Sequence, residues 1–220
     1  GVNRRVQIVN LGAGARSDAG APTPAIVPVA SPGSTAAPAP QTAAKTRSMI
    51  DKSLADIMGT GELPAAPAMS AVTSGPLTVR LSPGTDLKVN DLMTVSITST
   101  LAGTLIVYEQ DSAGQTTQIF PNNFSGSPQT TIAAGETILI PGPTSRFQLR
   151  VTPPLGASRI IAVVIPTRIE VSDITRHGAD MKPLPNALEV IGKIAERVTR
   201  GVKVEPAERA VGIAEYTIRP

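Results

Sequence analysis

The one histidine of this chain, His177, is the first residue to consider for chemistry. It lies between Asp173 and Asp180, whose carboxylates could support it as a general base or as a metal ligand. A zinc site normally takes three or four protein ligands, mostly histidine or cysteine, and the sequence lacks the Gly-x-Ser-x-Gly turn that presents a hydrolase serine. The pattern therefore favours an exposed loop histidine over a catalytic one.

A second candidate is the carboxylate pair Glu109 and Asp111, two residues apart at a predicted turn. Paired carboxylates can cleave a sugar bond, but sugar sites generally also offer aromatic platforms, and only Tyr108 and Phe120 are near. The stretch DSAGQ also lacks the alternating acidic ligands of a calcium loop. We interpret the pair as the flanks of an ordinary solvated turn.

A third candidate is the glycine pair of Gly12-Ala13-Gly14, which follows a predicted strand as in a dinucleotide-binding turn. Ser17 stands where the third glycine belongs, and the prolines that follow prevent the required helix. A plain turn is the better interpretation. The sequence thus predicts no catalytic residue, no cofactor-binding residue and no metal ligand.

Composition excludes further classes of function. The 220 residues include 19 glycines and 21 prolines, only 2% are aromatic, and there is no cysteine to form a disulfide or act as a nucleophile. A net charge of +3 without a basic patch, together with few aromatic side chains, argues against nucleic-acid binding. No stretch approaches the ~20 apolar residues of a transmembrane helix.

The first third of the chain is predicted to be mostly extended. Residues 1–18 indicate a short strand, from Val6 to Leu11, and a glycine turn. Residues 19–44 form a Pro/Ala-rich arm without a charged residue, and residues 60–76 form a second linker. Between them, residues 45–59 predict an amphipathic helix that docks on the following domain or on another protein. Its apolar face is Ile50, Leu54, Ile57 and Met58.

Residues 77–220 are predicted to form a β-rich domain. Apolar and polar residues alternate in many short segments that are separated by glycine, proline or asparagine, which favours an antiparallel β-sandwich or a partly open barrel. The stretch YEQDSAGQTTQIFPN predicts a β-hairpin that ends before Pro121. Tyr108 and Phe120 are expected to be core anchors and could form a cross-strand aromatic pair.

The end of the chain adds one helix and one strand. Asn186 to Glu189 resembles a capping box, and Leu188, Ile191, Ala195 and Val198 share one face of a helix that Gly201 closes. The final AVGIAEYTIRP predicts a strand that returns to the sheet. The predicted fold class is therefore mainly β (α+β), with one C-terminal helix.

The order of these features resembles a known family. The turn DSAG, the return IFPN, the segments IAAGETILIP and RVTPPLGASRIIAVVIP, a helix and the closing AEYTIRP are similar to the bacterial domain-of-unknown-function family 4384, over about residues 77–220. The resemblance implies a module that tends to form the C-terminal part of larger envelope or signalling proteins, including caspase-like peptidases and kinases. It implies no catalytic residue.

Together these points predict a non-catalytic interaction or assembly module of the bacterial cell envelope. It would bind a protein partner, or copies of itself, through its extended arm and helix. We expect a location in the cell envelope or outside the cell, in the periplasm or on the surface, after removal of an N-terminal segment. The start at Gly1 fits a removed signal peptide, a protease cut or the end of a fragment alike. The alternative is a C-terminal regulatory module released from a caspase-like peptidase or another signalling enzyme.

Overall fold

The computed structural model describes residues 6–8, 40–59, 63, 75–125, 129–200 and 204–220. Residues 9–39, which include the glycine pair and most of the predicted arm at 19–44, and most of the linker at 60–76 lie outside the described residues. Eleven strands and three α-helices are described: β1 Val6–Ile8, α1 Pro40–Met58, β2 Leu77–Ser82, β3 Asp86–Lys88, β4 Leu92–Ser99, β5 Gly103–Gln110, β6 Thr116–Phe120, β7 Thr131–Ile132, β8 Thr137–Ile140, β9 Leu149–Val151, β10 Gly156–Ile165, α2 Ser172–Thr175, α3 Ala187–Arg200 and β11 Ala210–Arg219.

The strands form two sheets that pack face to face. The five-stranded sheet has the order β1-β9-β4-β2, with β8 also paired to β4. The six-stranded sheet has the order β3-β11-β10-β5-β6, with β7 also paired to β5. Neighbouring strands are antiparallel except β3 and β11, which are parallel. The predicted mainly β, sandwich-like α+β fold is confirmed.

The six-stranded sheet is covered on both of its faces, and this divides its apolar residues into two cores. Along β10, Ile160, Ala162 and Val164 face the other sheet, whereas Ile161 and Val163 face the helices. Successive side chains of a strand point to opposite faces, so an unbroken apolar run is what a strand buried on both faces requires. The molecule therefore has three layers: the five-stranded sheet, the six-stranded sheet and the helices.

Helix α1 is part of the layer that covers the six-stranded sheet. Its predicted apolar face is confirmed, because Ile50, Leu54 and Ile57 are completely buried in the same cluster as residues of β10 and α3. Of the two predicted docking surfaces, the described contacts place this face on the chain's own domain. The helix also begins at Pro40, earlier than predicted, so the last residues of the predicted arm are helical. Proline is well suited to a first helical position because that N–H has no partner within the helix.

The hairpin formed by β5 and β6 confirms the prediction for residues 108–122. The turn places Gly114 at a φ of 79°, a left-handed conformation in which glycine avoids the steric cost of a side chain. The predicted aromatic pair is wrong. Tyr108 lies opposite Gln118 and faces the helices, whereas Phe120 lies opposite Val107 and faces the other sheet, because the register shifts between residues 107 and 108. Both aromatic residues are nevertheless buried, as expected of core anchors.

The C-terminal elements also agree with the prediction. Helix α3 begins directly after Asn186, and on its predicted apolar face Ile191, Ala195 and Val198 are buried and Leu188 is half-buried. Gly201, which was predicted to close the helix, lies outside the described residues. Strand β11 then pairs with β10 along nearly its whole length. The short helix α2, which precedes α3, was not predicted, because four residues are too few to show helical periodicity.

Candidate functional site

The structure separates the groups around His177 that could have formed a catalytic unit. Nδ1 of His177 lies 2.9 Å from the backbone oxygen of Asp173, not from its carboxylate. That carboxylate instead accepts two hydrogen bonds from Arg197, at 2.6 and 2.5 Å. The hydrogen bonds from Arg197 hold the pKa of Asp173 below its ordinary value. Asp180 accepts a hydrogen bond of 2.9 Å from Asn123. Neither carboxylate is therefore directed at the imidazole, and His177 is exposed as predicted.

The interpretation of Glu109 and Asp111 as residues of a solvated turn is wrong, because they are only 3% and 5% exposed. Oδ1 of Asp111 accepts hydrogen bonds from the backbone N–H groups of Ala113 and Gln115, at 2.7 and 2.8 Å, and thereby closes the hairpin turn. Oε1 of Glu109 accepts a hydrogen bond of 3.1 Å from the hydroxyl of Tyr216 inside the sandwich. Both carboxylates have structural partners, and this burial could not be read from their positions beside a turn.

A buried arginine that the sequence did not single out links α1 to the six-stranded sheet. The side chain of Arg159 on β10 is only 4% exposed, and its Nη1 lies 2.6 Å from Oδ1 of Asp51 on α1 in an ion pair. Its Nε donates a 2.9 Å hydrogen bond to Gln110 on β5. On the same side of the sheet, Arg47 of α1 pairs with Glu215 of β11. Burial lowers the pKa of Arg159, and the charge of Asp51 opposes that effect. These polar contacts add to the apolar contacts that hold α1 on the six-stranded sheet.

A surface groove between two helices offers little for binding chemistry. An open groove of about 610 Å³ runs between α1 and α3, and its lining includes Asp56, Glu196 and Arg200. Arg200 already donates a 2.7 Å hydrogen bond to Glu196, and an open, polar groove differs from the enclosed, mostly apolar shape of small-molecule sites. Over the described ranges, no group of three or more metal-ligating side chains comes together.

The strongest candidate for a functional surface is the outer face of the five-stranded sheet, on the side away from the sandwich core. Alternate residues of β2, β4, β8 and β9 are buried in that core, so the residues between them point outward. We use the name outer face for Thr78, Arg80, Ser82, Leu92, Thr94, Ser96, Thr98, Thr137, Leu139 and Arg150. The helices α1 and α3 pack on the six-stranded sheet, so neither of them covers the outer face.

The outer face has a defined pattern of side chains across the strands. Thr98 lies between Thr78 and Thr137 in the ladder, and the hydroxyl oxygens of Thr98 and Thr137 are 2.8 Å apart. Ser96 lies between Arg80 and Leu139. Cross-strand neighbours on one face are close enough to act together, so Leu139 lies beside the hydroxyl of Ser96, with Arg80 one strand further away.

Two leucines give this face an apolar character. Leu139, on β8, is 45% exposed, and Leu92, at the start of β4, is 47% exposed. Leu92 lies opposite Arg150, whose Nη1 donates a 3.3 Å hydrogen bond to the backbone oxygen of Asn90. The two charged residues of the outer face, Arg80 and Arg150, are both positive. The surface therefore combines exposed apolar groups, hydroxyl groups and positive charge.

Sequence analysis did not identify this surface. Leu139 belongs to the run Thr137–Ile140, in which three apolar residues follow one another, so alternation alone does not show which of them points outward. The period of a strand puts Ile138 and Ile140 on one side and Leu139 on the other, and the structure shows that the side with the two isoleucines is the buried one.

The family resemblance is confirmed by a match to a family model. Residues 86–168 match the family described as Domain of unknown function (DUF4384). This match runs from the beginning of β3 to just beyond β10. It is shorter than the predicted range of residues 77–220, and α1, α3 and β11 lie outside it.

Solved structures of bacterial alpha-2-macroglobulins show a limited likeness to this chain. Escherichia coli alpha-2-macroglobulin activated by porcine elastase is 15% identical over 66% of this chain and 10% of its own, with a TM-score of 0.30. The native conformation of the Escherichia coli protein gives 15% identity over 67% and 7%, and a TM-score of 0.30. A Salmonella alpha-2-macroglobulin mutant gives 13% identity over 68% and 7%, also with a TM-score of 0.30. This chain spans about a tenth or less of those structures. No curated protein sequence matches it.

Proposed function

We propose that this chain is a non-catalytic interaction module of the bacterial cell envelope, which binds a protein partner through the outer face of its five-stranded sheet. The observation that carries the proposal is the exposure of Leu139 and Leu92 on one ordered sheet face. An exposed apolar group within a polar rim is typical of protein-binding surfaces. This proposal moves the binding role from α1, whose apolar face is buried against the chain's own domain, to the sheet.

Charge indicates the kind of partner. Arg80 and Arg150 are the charged members of the outer face, and pairing this face with its copy would bring arginines toward arginines. A partner with acidic groups around an apolar contact complements both features. We therefore propose a different, acidic protein surface as the occupant of the outer face.

The non-catalytic role is supported by the partners of the candidate residues. Asp173 is bound by Arg197, Asp111 by turn amides and Glu109 by Tyr216. A general acid or base must reach a substrate, whereas Glu109 and Asp111 are buried and serve the fold. None of the described helices has the length and apolar character needed to cross a bilayer. The assignment to the envelope rests on the family resemblance.

Site-specific photo-crosslinking in the native bacterium tests the proposal. A photoreactive residue in place of Leu139 should give one discrete adduct, which charge reversal by Arg80→Glu should abolish. The matched control is Met49 on α1, which is 44% exposed but lies in the helical layer. An equal adduct from Met49, no adduct from Leu139, or an adduct that persists with Arg80→Glu would contradict the proposal. Recovery of the chain from the cytosol on cell fractionation would contradict the envelope assignment.

None of the described helices crosses the surface that this experiment probes, so the crosslinker at Leu139 needs no rearrangement of the described fold to reach a partner.

A further inference from the structure

The N-terminal strand β1 occupies one edge of the five-stranded sheet, far along the chain from its neighbours there. It pairs antiparallel with β9 in the register Val6 to Val151, Gln7 to Arg150 and Ile8 to Leu149. Roughly thirty residues separate Ile8 from the start of α1 at Pro40, a length that could extend over about 100 Å at most. The connection is therefore long enough for β1 to reach the β9 edge of its own domain or of a neighbouring copy.

The β9 edge is suited to receive such a strand. On its other side β9 pairs with β4 at only two positions, Leu92 and Met93. A strand without a neighbour exposes a row of backbone donors and acceptors, which an added strand can satisfy. The ladder with β1 therefore accounts for much of the backbone pairing of β9.

The register of β1 sets its three residues against alternating positions of β9. Val6 and Ile8 occupy register positions opposite Val151 and Leu149, which are buried in the sandwich core. Gln7 occupies the register position opposite Arg150, which belongs to the outer face. The residues of β9 that pair with β1 therefore alternate between the sandwich core and the outer face.

We propose that β1 is exchanged between copies of this chain, so that β1 of one copy pairs with β9 of another and links the two through the edge of the five-stranded sheet. The partner is a second copy because the complementary strand is already present in this sequence. A ladder of three residue pairs is short, and exchange of an identical element forms the same contacts between copies as within one. The inference is independent of the outer-face proposal, since it concerns backbone pairing at the edge.

Concentration decides between the two arrangements. A tethered strand that can reach its own acceptor has an effective concentration on the order of millimolar, so pairing within one copy dominates in dilute protein. Pairing between copies increases as the protein concentration approaches that value, or when copies are held side by side. Exchange thus serves assembly where the chain is already crowded.

The absence of cysteine from the chain allows a clean test with the full-length protein. We would prepare Gln7→Cys and Arg150→Cys as separate variants, label one with heavy isotopes, mix the two proteins and oxidise the mixture. The total concentration is ~1 mM, the order of the effective concentration of the tethered strand. Directly opposite residues in a ladder are close enough for a disulfide after small adjustments. The matched control replaces Arg150→Cys by Arg80→Cys, on β2 at the opposite edge of the same sheet.

Exchange predicts at least a fivefold excess of the Gln7→Cys/Arg150→Cys heterodimer over the Gln7→Cys/Arg80→Cys heterodimer, measured by mass spectrometry. Addition of Ile8→Pro to the Gln7→Cys chain should remove this excess, because proline lacks a donor and restricts φ. Equal yields for the two mixtures, or an excess that survives Ile8→Pro, would overturn the proposal. The outer-face crosslinking result does not depend on any of these outcomes, because it probes Leu139 and not the edge.

Discussion

Replacement of Leu54 by alanine tests whether α1 is an integral part of the fold. Leu54 is completely buried in the cluster between the helices and the six-stranded sheet. The change removes three carbon atoms, which at about 0.8 kcal/mol per methylene gives ~2.4 kcal/mol before any cavity is counted. With the cavity that remains, Leu54→Ala should lower the free energy of unfolding by about 3–4 kcal/mol. This is a large fraction of the stability of a typical domain.

The assay is urea unfolding of the full chain, followed by circular dichroism and by tyrosine fluorescence. Tyr108 lies in the same cluster as Leu54, and the chain has no tryptophan to obscure its signal. If α1 and the sheets unfold together, the two probes should give coincident transitions with a lower midpoint in the variant. The matched control is Met49→Ala on the same helix, where the side chain is 44% exposed and the expected change is below about 0.5 kcal/mol.

Equal midpoints for Leu54→Ala and Met49→Ala would refute the reasoning, because α1 would then contribute no buried contact to the cooperative unit. A separate early transition confined to circular dichroism would refute it in another way, by showing that α1 unfolds alone. The expected result also opposes the idea that residues 77–220 fold as a domain without α1, since removal of this helix would expose the cluster that it shares with α3 and β10.

Four further predictions concern single residues. The hydroxyl of Tyr108 is buried without a hydrogen-bond partner among the described residues, so Tyr108→Phe should leave the free energy of unfolding at pH 7 unchanged or raise it by about 1 kcal/mol. Tyr216→Phe removes the hydrogen bond to Glu109 and should lower the free energy of unfolding by about 1.5–3 kcal/mol. Urea unfolding measures both changes. Burial raises the pKa of Tyr108, so the unfolded chain ionises first; stability should fall as pH rises above about 10, and Tyr108→Phe should reduce this fall, or the explanation is wrong. A Cβ on Gly103 would lie 2.4 Å from the backbone oxygen of Ile165, so Gly103→Ala should lower the thermal midpoint by an amount that corresponds to about 1–3 kcal/mol. Its control is Gly84→Ala, whose Cβ meets nothing within 4 Å and which should change the midpoint little. Similar midpoints for the two variants would contradict the close packing of β5. Asp51→Ala leaves Arg159 buried without its ion-pair partner and should destabilise the fold by about 1–3 kcal/mol, in contrast to Asp56→Ala at an exposed position of the same helix, and equal unfolding midpoints would exclude a structural role for the pair.

Much of the fold could be predicted because it depends on local periodicity. The alternation of Leu77, Val79 and Leu81 with polar residues predicts the inner and outer sides of β2, and the structure confirms it. The helical spacing of Ile50, Leu54 and Ile57 predicts which face of α1 is buried. Gly114 marks the hairpin turn because few other residues adopt a left-handed conformation at low cost.

The candidate residues could be weighed but not placed. The exposure of His177 agrees with the prediction, whereas the burial of Glu109 and Asp111 does not. A carboxylate beside a turn is solvated unless another layer covers it, and that covering comes from residues distant in the chain. Phe120 illustrates the same limit, since a local shift in register placed it on the face opposite to Tyr108.

The sequence by itself determined the strands, the two main helices and the side of each that is apolar, because these follow from the period of the backbone and from short-range turn chemistry. Tertiary structure alone decided what each apolar side meets. It placed α1 on the chain's own sheet, buried Arg159 beneath it, paired β1 with β9 and left Leu139 exposed. These outcomes depend on which sheet the helices cover, and that choice is set by contacts between residues far apart in sequence, which no local pattern records.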